Sequence, residues 1–349
     1  MTPNPALGVL FHWLGGLAAG SFYVPFRVVK RWSWETYWLV GGVFSWIIAP
    51  WVLASLLTHR VTAVLANAPP STLFWCIFFG LLWGVGGLTF GLTVRYLGLS
   101  LGIAVVMGLC AAFGTLMPPI FNGTFASEVW GKSAGRVTLL GIGFCVVGIA
   151  IAGLAGIYKE RALAGGAGEP VIKEFNLKRG FLVALVSGLM SSCFAYGLAA
   201  GAPIKALTMR AGTPPLWQGL PVLIVVLIGG FTTNFIWAVF LNFRNKTGRE
   251  YLAADTPLLS NYLLCSLAGV AWYFQFFFYS MGETKMGAYS FSSWTLHMAS
   301  IVIFSTLWGI GLKEWKGSGH VAVRLLVLGL LVLIGSTVIV GYGNYLNTR

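Results

Sequence analysis

Residues 216–241 read Leu216-Trp217-Gln218-Gly219-Leu220-Pro221-Val222-Leu223-Ile224-Val225-Val226-Leu227-Ile228-Gly229-Gly230-Phe231-Thr232-Thr233-Asn234-Phe235-Ile236-Trp237-Ala238-Val239-Phe240-Leu241. No charge interrupts this run. A helix rises 1.5 Å per residue, so about 20 apolar residues cross the hydrocarbon core of a bilayer. Working outward, nine further segments pass the same test: 6–27, 36–58, 72–94, 98–120, 137–158, 180–202, 258–281, 287–312 and 321–345. None shows the polar–apolar alternation of a barrel strand. The sequence therefore predicts an all-α membrane protein with ten transmembrane helices. Pairs at helical spacing, Gly16 and Gly20, Gly80 and Gly84, Gly98 and Gly102, and Gly197 and Gly201, are the kind that let helix backbones approach.

Composition agrees. The chain is 57% hydrophobic and 9% charged, far below the quarter or so of charged residues that a soluble domain carries. Its net charge of +13 could suit a nucleic-acid binder, but that reading needs the basic residues clustered on one face. Here they fall in the gaps between apolar runs, so no nucleic acid is expected. Of the 22 Lys and Arg, 15 lie on the side of the bundle reached by gaps 1–2, 3–4, 5–6, 7–8 and 9–10. The positive-inside rule makes that side cytoplasmic and puts both termini in the periplasm. The first segment lacks a basic leader and a small-residue cleavage site, so it reads as a retained span.

Gap 5–6 divides the chain. It contains Gly165, Gly166, Gly168 and Pro170 and separates a first five-helix half (1–158) from a second (180–349), with 159–179 as a cytoplasmic linker. Five helices is an odd number, so two related halves must sit inverted. Val94-Arg95-Tyr96-Leu97-Gly98 and Glu283-Thr284-Lys285-Met286-Gly287 are short connectors at corresponding places. Thr115-Leu116-Met117 and Thr306-Leu307-Trp308 are also alike. Inverted repeats are a transporter signature, with the substrate site near the midplane.

Ionisable groups inside spans are functional candidates. None of the nine acids lies mid-span; Glu35 opens span 2 and Glu283 sits between spans 8 and 9. The titratable groups well inside spans are His12 and His297. Span 8 places Trp272, Gln275, Phe276 and Tyr279 on one face, and span 9 does the same for Ser290, Ser293, Trp294 and His297. Taking span 9 to begin at 287, Gln275, Ser293 and His12 lie about 9 Å from the periplasmic end, and His297 about 15 Å. Polar donors and acceptors beside aromatic faces suit a sugar, whose hydroxyls need partners once desolvated. The candidate pocket is Trp272, Gln275, Trp294 and His297, with Tyr23, Ser293 and Tyr279 nearby.

Other chemistry is not written here. Cys76, Cys110, Cys145, Cys193 and Cys265 share no metal-ligand spacing and each lies in an apolar run. Gly131-Lys132-Ser133 resembles part of a phosphate loop, but Ala126 stands where the first glycine belongs. No HExxH, GxSxG or dinucleotide fingerprint occurs, so no metal, no cofactor and no catalytic residue is expected, and the chain does not read as an enzyme.

Several strings go further. They are Lys30-Arg31-Trp32-Ser33-Trp34-Glu35-Thr36, Gly91-Leu92-Thr93-Val94-Arg95-Tyr96-Leu97-Gly98, Gly114-Thr115-Leu116-Met117, Glu174-Phe175-Asn176-Leu177-Lys178, Trp272-Tyr273-Phe274-Gln275-Phe276-Phe277-Phe278-Tyr279, Ser293-Trp294-Thr295-Leu296-His297-Met298 and Leu312-Lys313-Glu314-Trp315. Together with His12 they resemble the L-rhamnose–proton symporter family of the drug/metabolite transporter superfamily, almost end to end. Glu283 and Ser290 depart from that family's pattern. The resemblance implies two inverted five-helix repeats in the drug/metabolite transporter fold, a bacterial inner membrane, and import of L-rhamnose with protons by alternating access. An exporter of metabolites or drugs from the same superfamily is the alternative. With no mid-span acid, the coupling proton falls to His297, His12 or Glu35, with Glu283 behind them. Histidine has an ordinary pKa of about 6.5 and could load a proton from a mildly acidic periplasm.

Overall fold

The computed structural model describes residues 3–97, 99–163 and 176–347. Among these, ten helices are long and apolar enough to cross a membrane: α1 (Pro5–Phe26), α2 (Trp34–Leu57), α3 (Pro70–Leu97), α4 (Leu101–Ile120), α5 (Ser133–Leu163), α6 (Leu177–Arg210), α7 (Pro215–Asn245), α8 (Leu258–Glu283), α9 (Tyr289–Gly311) and α10 (Gly319–Leu346). No strand occurs among the described residues. The chain is a multi-pass membrane protein. In hydrocarbon each backbone N–H and C=O must be satisfied within the protein, and a helix does this within its own segment. Large apolar side chains such as Leu56, Phe243 and Leu331 stay outside the bundle, where lipid is their solvent.

Close-packed pairs set the arrangement. α1 lies against α8 and α9, and α6 lies against α3 and α4. α5 pairs with α10, α3 with α7, α2 with α7 and α8, and α4 crosses α9. The glycine pairs mark these seams. A Cβ at Gly16 would sit 2.2 Å from Ser300 Cβ and 2.6 Å from its carbonyl carbon, and one at Gly80 would sit 2.1 Å from the Val226 carbonyl oxygen. Gly197 and Gly201 face the side chains of Val226 and Val222, at 3.1 and 2.2 Å from an added Cβ. Gly98 lies outside the described residues. Because the atoms opposite Gly16 and Gly80 are largely backbone, a side chain there must push two helices apart. Gly16→Val is expected to cost roughly 1–3 kcal/mol or more, read as a lowered unfolding temperature in detergent.

Three element boundaries differ from the sequence reading. α6 does not stop near 202 but continues past Gly201 as a short helix, Ala202–Arg210, with Pro203 in its first turn. The start of the ninth span is not α-helical. Residues 287–292 form a tighter 3₁₀ segment, with Gly287 at φ +64° and Tyr289 off helical geometry, and the α-helix begins at Ser293. Ser290 is therefore out of register with Ser293, Trp294 and His297, and the shared face expected for it does not form. Helix also extends into both ends of 159–179, since α5 runs to Leu163 and α6 begins at Leu177. Gly165, Gly166, Gly168 and Pro170 lie outside the described residues.

α2 carries a wide turn. Residues 43–48 are π-helical, and Ala49 N–H bonds to Phe44 O, five residues back. Pro50 follows and has no N–H to return to Trp46 O, so an ordinary α ladder cannot run through this point. π turns recur at functional places.

Connections on the two faces differ. On the linker face, Asn261 holds both backbone groups of Lys30, accepting from its N–H at 3.2 Å and donating to its O at 2.8 Å. The Trp32 indole donates to Glu250 O at 2.9 Å, and Glu314 accepts from Arg27 at 2.6 Å. On the face that carries both termini, Lys205 pairs with Glu283 at 2.8 and 3.0 Å.

Candidate functional site

Glycines on α1 and α8 admit the two histidines. A Cβ on Gly282 would lie 2.8 Å from the His12 ring, and one on Gly15 would lie 2.9 Å from Gln275 O and 3.3 Å from the His297 ring. The small residues let α1 nestle between α8 and α9, and the His12 and His297 rings meet with centroids 6.5 Å apart. Tyr279 touches both, at 5.3 Å from His12 and 5.4 Å from His297. Trp294 lies 5.7 Å from Tyr279 and 6.3 Å from His297. Both histidines are fully enclosed, and none of their four ring nitrogens has a hydrogen-bond partner among the described residues. Gln275 Nε2 and Ser293 Oγ, in the same region, are buried and likewise have no partner among the described residues. A buried polar atom without a partner costs about 1–3 kcal/mol, and such atoms call for an explanation. This cluster concentrates several of them on one line of helix contacts.

The structure thus brings together His12, Gln275, Tyr279, Trp294 and His297, with Ser293 one turn before His297. It places the His12 ring beside that of His297, although helical rise alone set them about 6 Å apart in depth. Trp294 is engaged in packing as well. Its indole donates to Cys110 O at 3.0 Å, its ring stacks on Phe194 at 6.0 Å, and Gly114 leaves the space it fills. Beside it, the Thr115 and Thr295 hydroxyls bond across the α4–α9 crossing at 2.7 Å.

Trp272 and Tyr23 lie apart from that cluster. Trp272 tilts against Phe22 at 4.2 Å, and Tyr23 is half exposed, its hydroxyl 3.5 Å from that of Tyr37. Between α1, α2 and α8 is a crevice lined by Phe22, Phe26, Trp38, Ser45, Trp46 and Trp272. The sequence reading passed over Phe22, Trp38, Ser45 and Trp46. The signal available was Pro50, four residues after Trp46, which announces a disturbed helix at Ser45 and Trp46.

The carboxylates sit elsewhere. Glu35 is buried at the linker-face end of α2, where it accepts from Asn245 Nδ2 and Thr247 Oγ1, both at 2.9 Å. These bonds tie α2 to the end of α7, and Thr247 Oγ1 shares its one proton between Glu35 and Asn242 Oδ1, 3.0 Å away. Glu283 is at the opposite face, paired with Lys205. Among the described residues no group of three or more His, Cys, Asp or Glu could hold a metal ion. All five cysteines are buried and free.

Comparison with known proteins places this arrangement in a family. The profile of the L-rhamnose-proton symport protein matches residues 1–345. An L-rhamnose-proton symporter of Cronobacter sakazakii is 40% identical over 345 residues, covering 98% of each chain. Proteins of the same name from Salmonella gallinarum and Salmonella paratyphi A are each 39% identical over 341 residues, covering 97% of both chains. A match of this length and identity, on a ten-helix membrane fold, leaves one conclusion: the chain belongs to the L-rhamnose-proton symport protein family, a family of transporters rather than enzymes.

Proposed function

We propose that this protein imports L-rhamnose together with protons, by alternating access, across the bacterial inner membrane. Membership of a family whose named relatives are L-rhamnose-proton symporters supports the substrate and the ion. The observation that carries the mechanism is the pair of enclosed histidines, 6.5 Å apart, whose four ring nitrogens have no partner among the described residues, beside Gln275. One member of such a pair can accept a proton if a hydrogen-bond acceptor arrives with it, and a sugar hydroxyl is such an acceptor. Proton and sugar binding then favour each other reciprocally. His297 leads as the coupling group, with His12 next and Glu35 as the remaining candidate. Trp272, Gln275, Ser293, Tyr279, Trp294, His297 and Tyr23 form the substrate path. An exporter reading asks for a uniformly apolar pocket, which the unpartnered polar atoms around Gln275 do not favour. Adding L-rhamnose to energy-depleted cells should make a lightly buffered medium more alkaline as protons move in; no pH change would refute the coupling.

The fold reading is that of two inverted five-helix repeats, 1–158 and 180–349, joined by a cytoplasmic linker at 159–179, as in the drug/metabolite transporter fold. The packing supports it. Exchanging each helix for the one five places away turns the pair α1–α8 into α6–α3, α1–α9 into α6–α4, and α2–α8 into α7–α3. The pairs α5–α10, α2–α7 and α4–α9 map onto themselves. Left-handed residues recur in the same pattern. Arg31 and Gly212 follow α1 and α6, Arg60 and Lys246 follow α2 and α7, and Gly123 and Lys313 follow α4 and α9.

Both termini are assigned to the periplasm from the basic residues on the linker face. Because the native cysteines are buried, an introduced one can be read cleanly. Lys316→Cys should react with an impermeant maleimide only after the cells are opened, and Asn67→Cys in intact spheroplasts. The reverse pattern would invert the assignment.

A further inference from the structure

The crevice between α1, α2 and α8 is lined by residues whose polar atoms neither the fold nor the histidine cluster uses. Ser45 and Trp46 are 1% and 3% exposed, yet Ser45 Oγ and Trp46 Nε1 have no hydrogen-bond partner among the described residues. Trp272 Nε1, also lining the crevice, is buried and unpartnered too. Trp38 differs, since its indole N–H donates to Asn234 Oδ1 at 3.1 Å. Three residues with unsatisfied polar groups therefore line one crevice, between the rings of Phe22, Trp38, Trp46 and Trp272.

The local backbone explains why they are there. The π turn through residues 43–48 shifts Ser45 and Trp46 from the register of the rest of α2. The Trp46 ring folds back over Gly42, where a Cβ would lie 2.8 Å from it. α2 and α8 meet backbone to backbone at Gly41 and Gly269, where a Cβ on Gly269 would lie 2.2 Å from Gly41 O. That contact floors the crevice.

The lining carries no charged side chain. An ionic ligand would be buried there without a counter-charge, at great cost. Aromatic faces with two indole donors and one hydroxyl suit a neutral ring that has an apolar face and hydroxyl oxygens. Trp272 and Gln275 are three residues apart on α8 and share a face, so the crevice continues the path from the histidine cluster toward the linker face. Phe22 is ten residues beyond His12, about 15 Å along α1.

We propose that Ser45, Trp46 and Trp272 form a subsite for a neutral monosaccharide in the crevice between α1, α2 and α8, one helical turn from Gln275. This rests on the reading of the chain as a rhamnose transporter and extends it to residues on α2. The crevice is tight, with a cavity volume of about 10 Å³, room for one water at most. Seating a sugar ring requires α2 to draw back from α8, and the π turn is the joint at which it can do so.

The test uses the purified full-length protein and its Ser45→Ala and Trp46→Phe variants. L-Rhamnose binding is measured by calorimetry and unfolding temperature is measured without sugar. Ser45→Ala deletes a polar atom that has no partner among the described residues, so its unfolding temperature is expected to hold or rise, whereas Trp46→Phe also leaves a void and is expected to lower it slightly, out of proportion to the affinity lost. Each also removes a hydrogen bond to a desolvated hydroxyl, so rhamnose affinity is expected to fall about fivefold or more. A parent that binds with variants that bind as tightly overturns the subsite alone. Variants that lose affinity only in step with a lowered unfolding temperature show a structural role and also overturn it. A parent that binds no L-rhamnose at all overturns both the subsite and the transport reading beneath it.

Discussion

His297→Gln is expected to abolish most proton-driven accumulation of L-rhamnose, by about 100-fold, while leaving rhamnose exchange between two equal pools in place. Coupling energies between two ligands commonly correspond to about 5- to 150-fold, and removing the group that carries the proton removes the whole of that factor. Glutamine keeps a polar side chain of similar reach but has no proton to gain. The sign of the pH dependence follows. If the imidazolium form binds sugar better, affinity in the parent protein rises as pH falls through the titration of the histidine, and sugar binding takes up a proton. In His297→Gln the affinity should be flat across that range. The measurement is rhamnose affinity from pH 5 to 8 by calorimetry, in two buffers of different ionisation enthalpy to count protons. A variant with the parent's pH dependence would remove His297 from the coupling role. His12→Gln, whose ring meets His297 at 6.5 Å, and Glu35→Gln would then separate the remaining candidates. Glu35→Gln is a useful contrast because its carboxylate accepts from Asn245 and Thr247 on the linker face.

Gln275→Ala is expected to weaken L-rhamnose binding by roughly 1–3 kcal/mol, or about 5- to 150-fold. The side chain is 3% exposed and its amide nitrogen has no partner among the described residues, so in the free protein it contributes little that its loss would take away. With sugar bound, an amide can donate to one hydroxyl and accept from its neighbour. Gln275→Met keeps the length of the side chain and removes both functions. It should show nearly the same loss, whereas a void left by alanine would affect Gln275→Ala alone. Undiminished binding by both variants would take Gln275 out of the pocket.

The fold was largely legible because lipid imposes a simple rule. Runs such as 216–241 and 321–345 have no reading other than a spanning helix, and Gly16, Gly20, Gly80 and Gly84 marked two seams that the structure contains. The irregular places were harder. The late start of the α-helix at Ser293 depends on the left-handed Gly287 and on Tyr289, and hydropathy runs straight across both. The extension of α6 past Gly201 was hidden because Lys205 and Arg210 make it look like a loop, although Lys205 is held by Glu283.

The site was legible by residue type rather than by grouping. Rarity of ionisable groups within spans singled out His12 and His297, but nothing in either segment says that they meet. That follows from Gly15 and Gly282, which look like ordinary membrane-helix glycines in the sequence. Trp272 and Trp294 both carried the aromatic signature of a sugar site, yet they part company in the structure. One borders the crevice, and the other spends its indole N–H on Cys110. Ser45 and Trp46 escaped notice because serine and tryptophan in a membrane helix ordinarily bond their own backbone or anchor at an interface.

The central claim is that sugar and proton move inward together. The most direct measurement is uptake of labelled L-rhamnose into proteoliposomes holding the purified protein, with the outside buffered about one pH unit below the inside. Accumulation above the external concentration, abolished by a protonophore and absent when the two sides have equal pH and no membrane potential, is the predicted result. Equilibration to the same level with and without the proton gradient would contradict it.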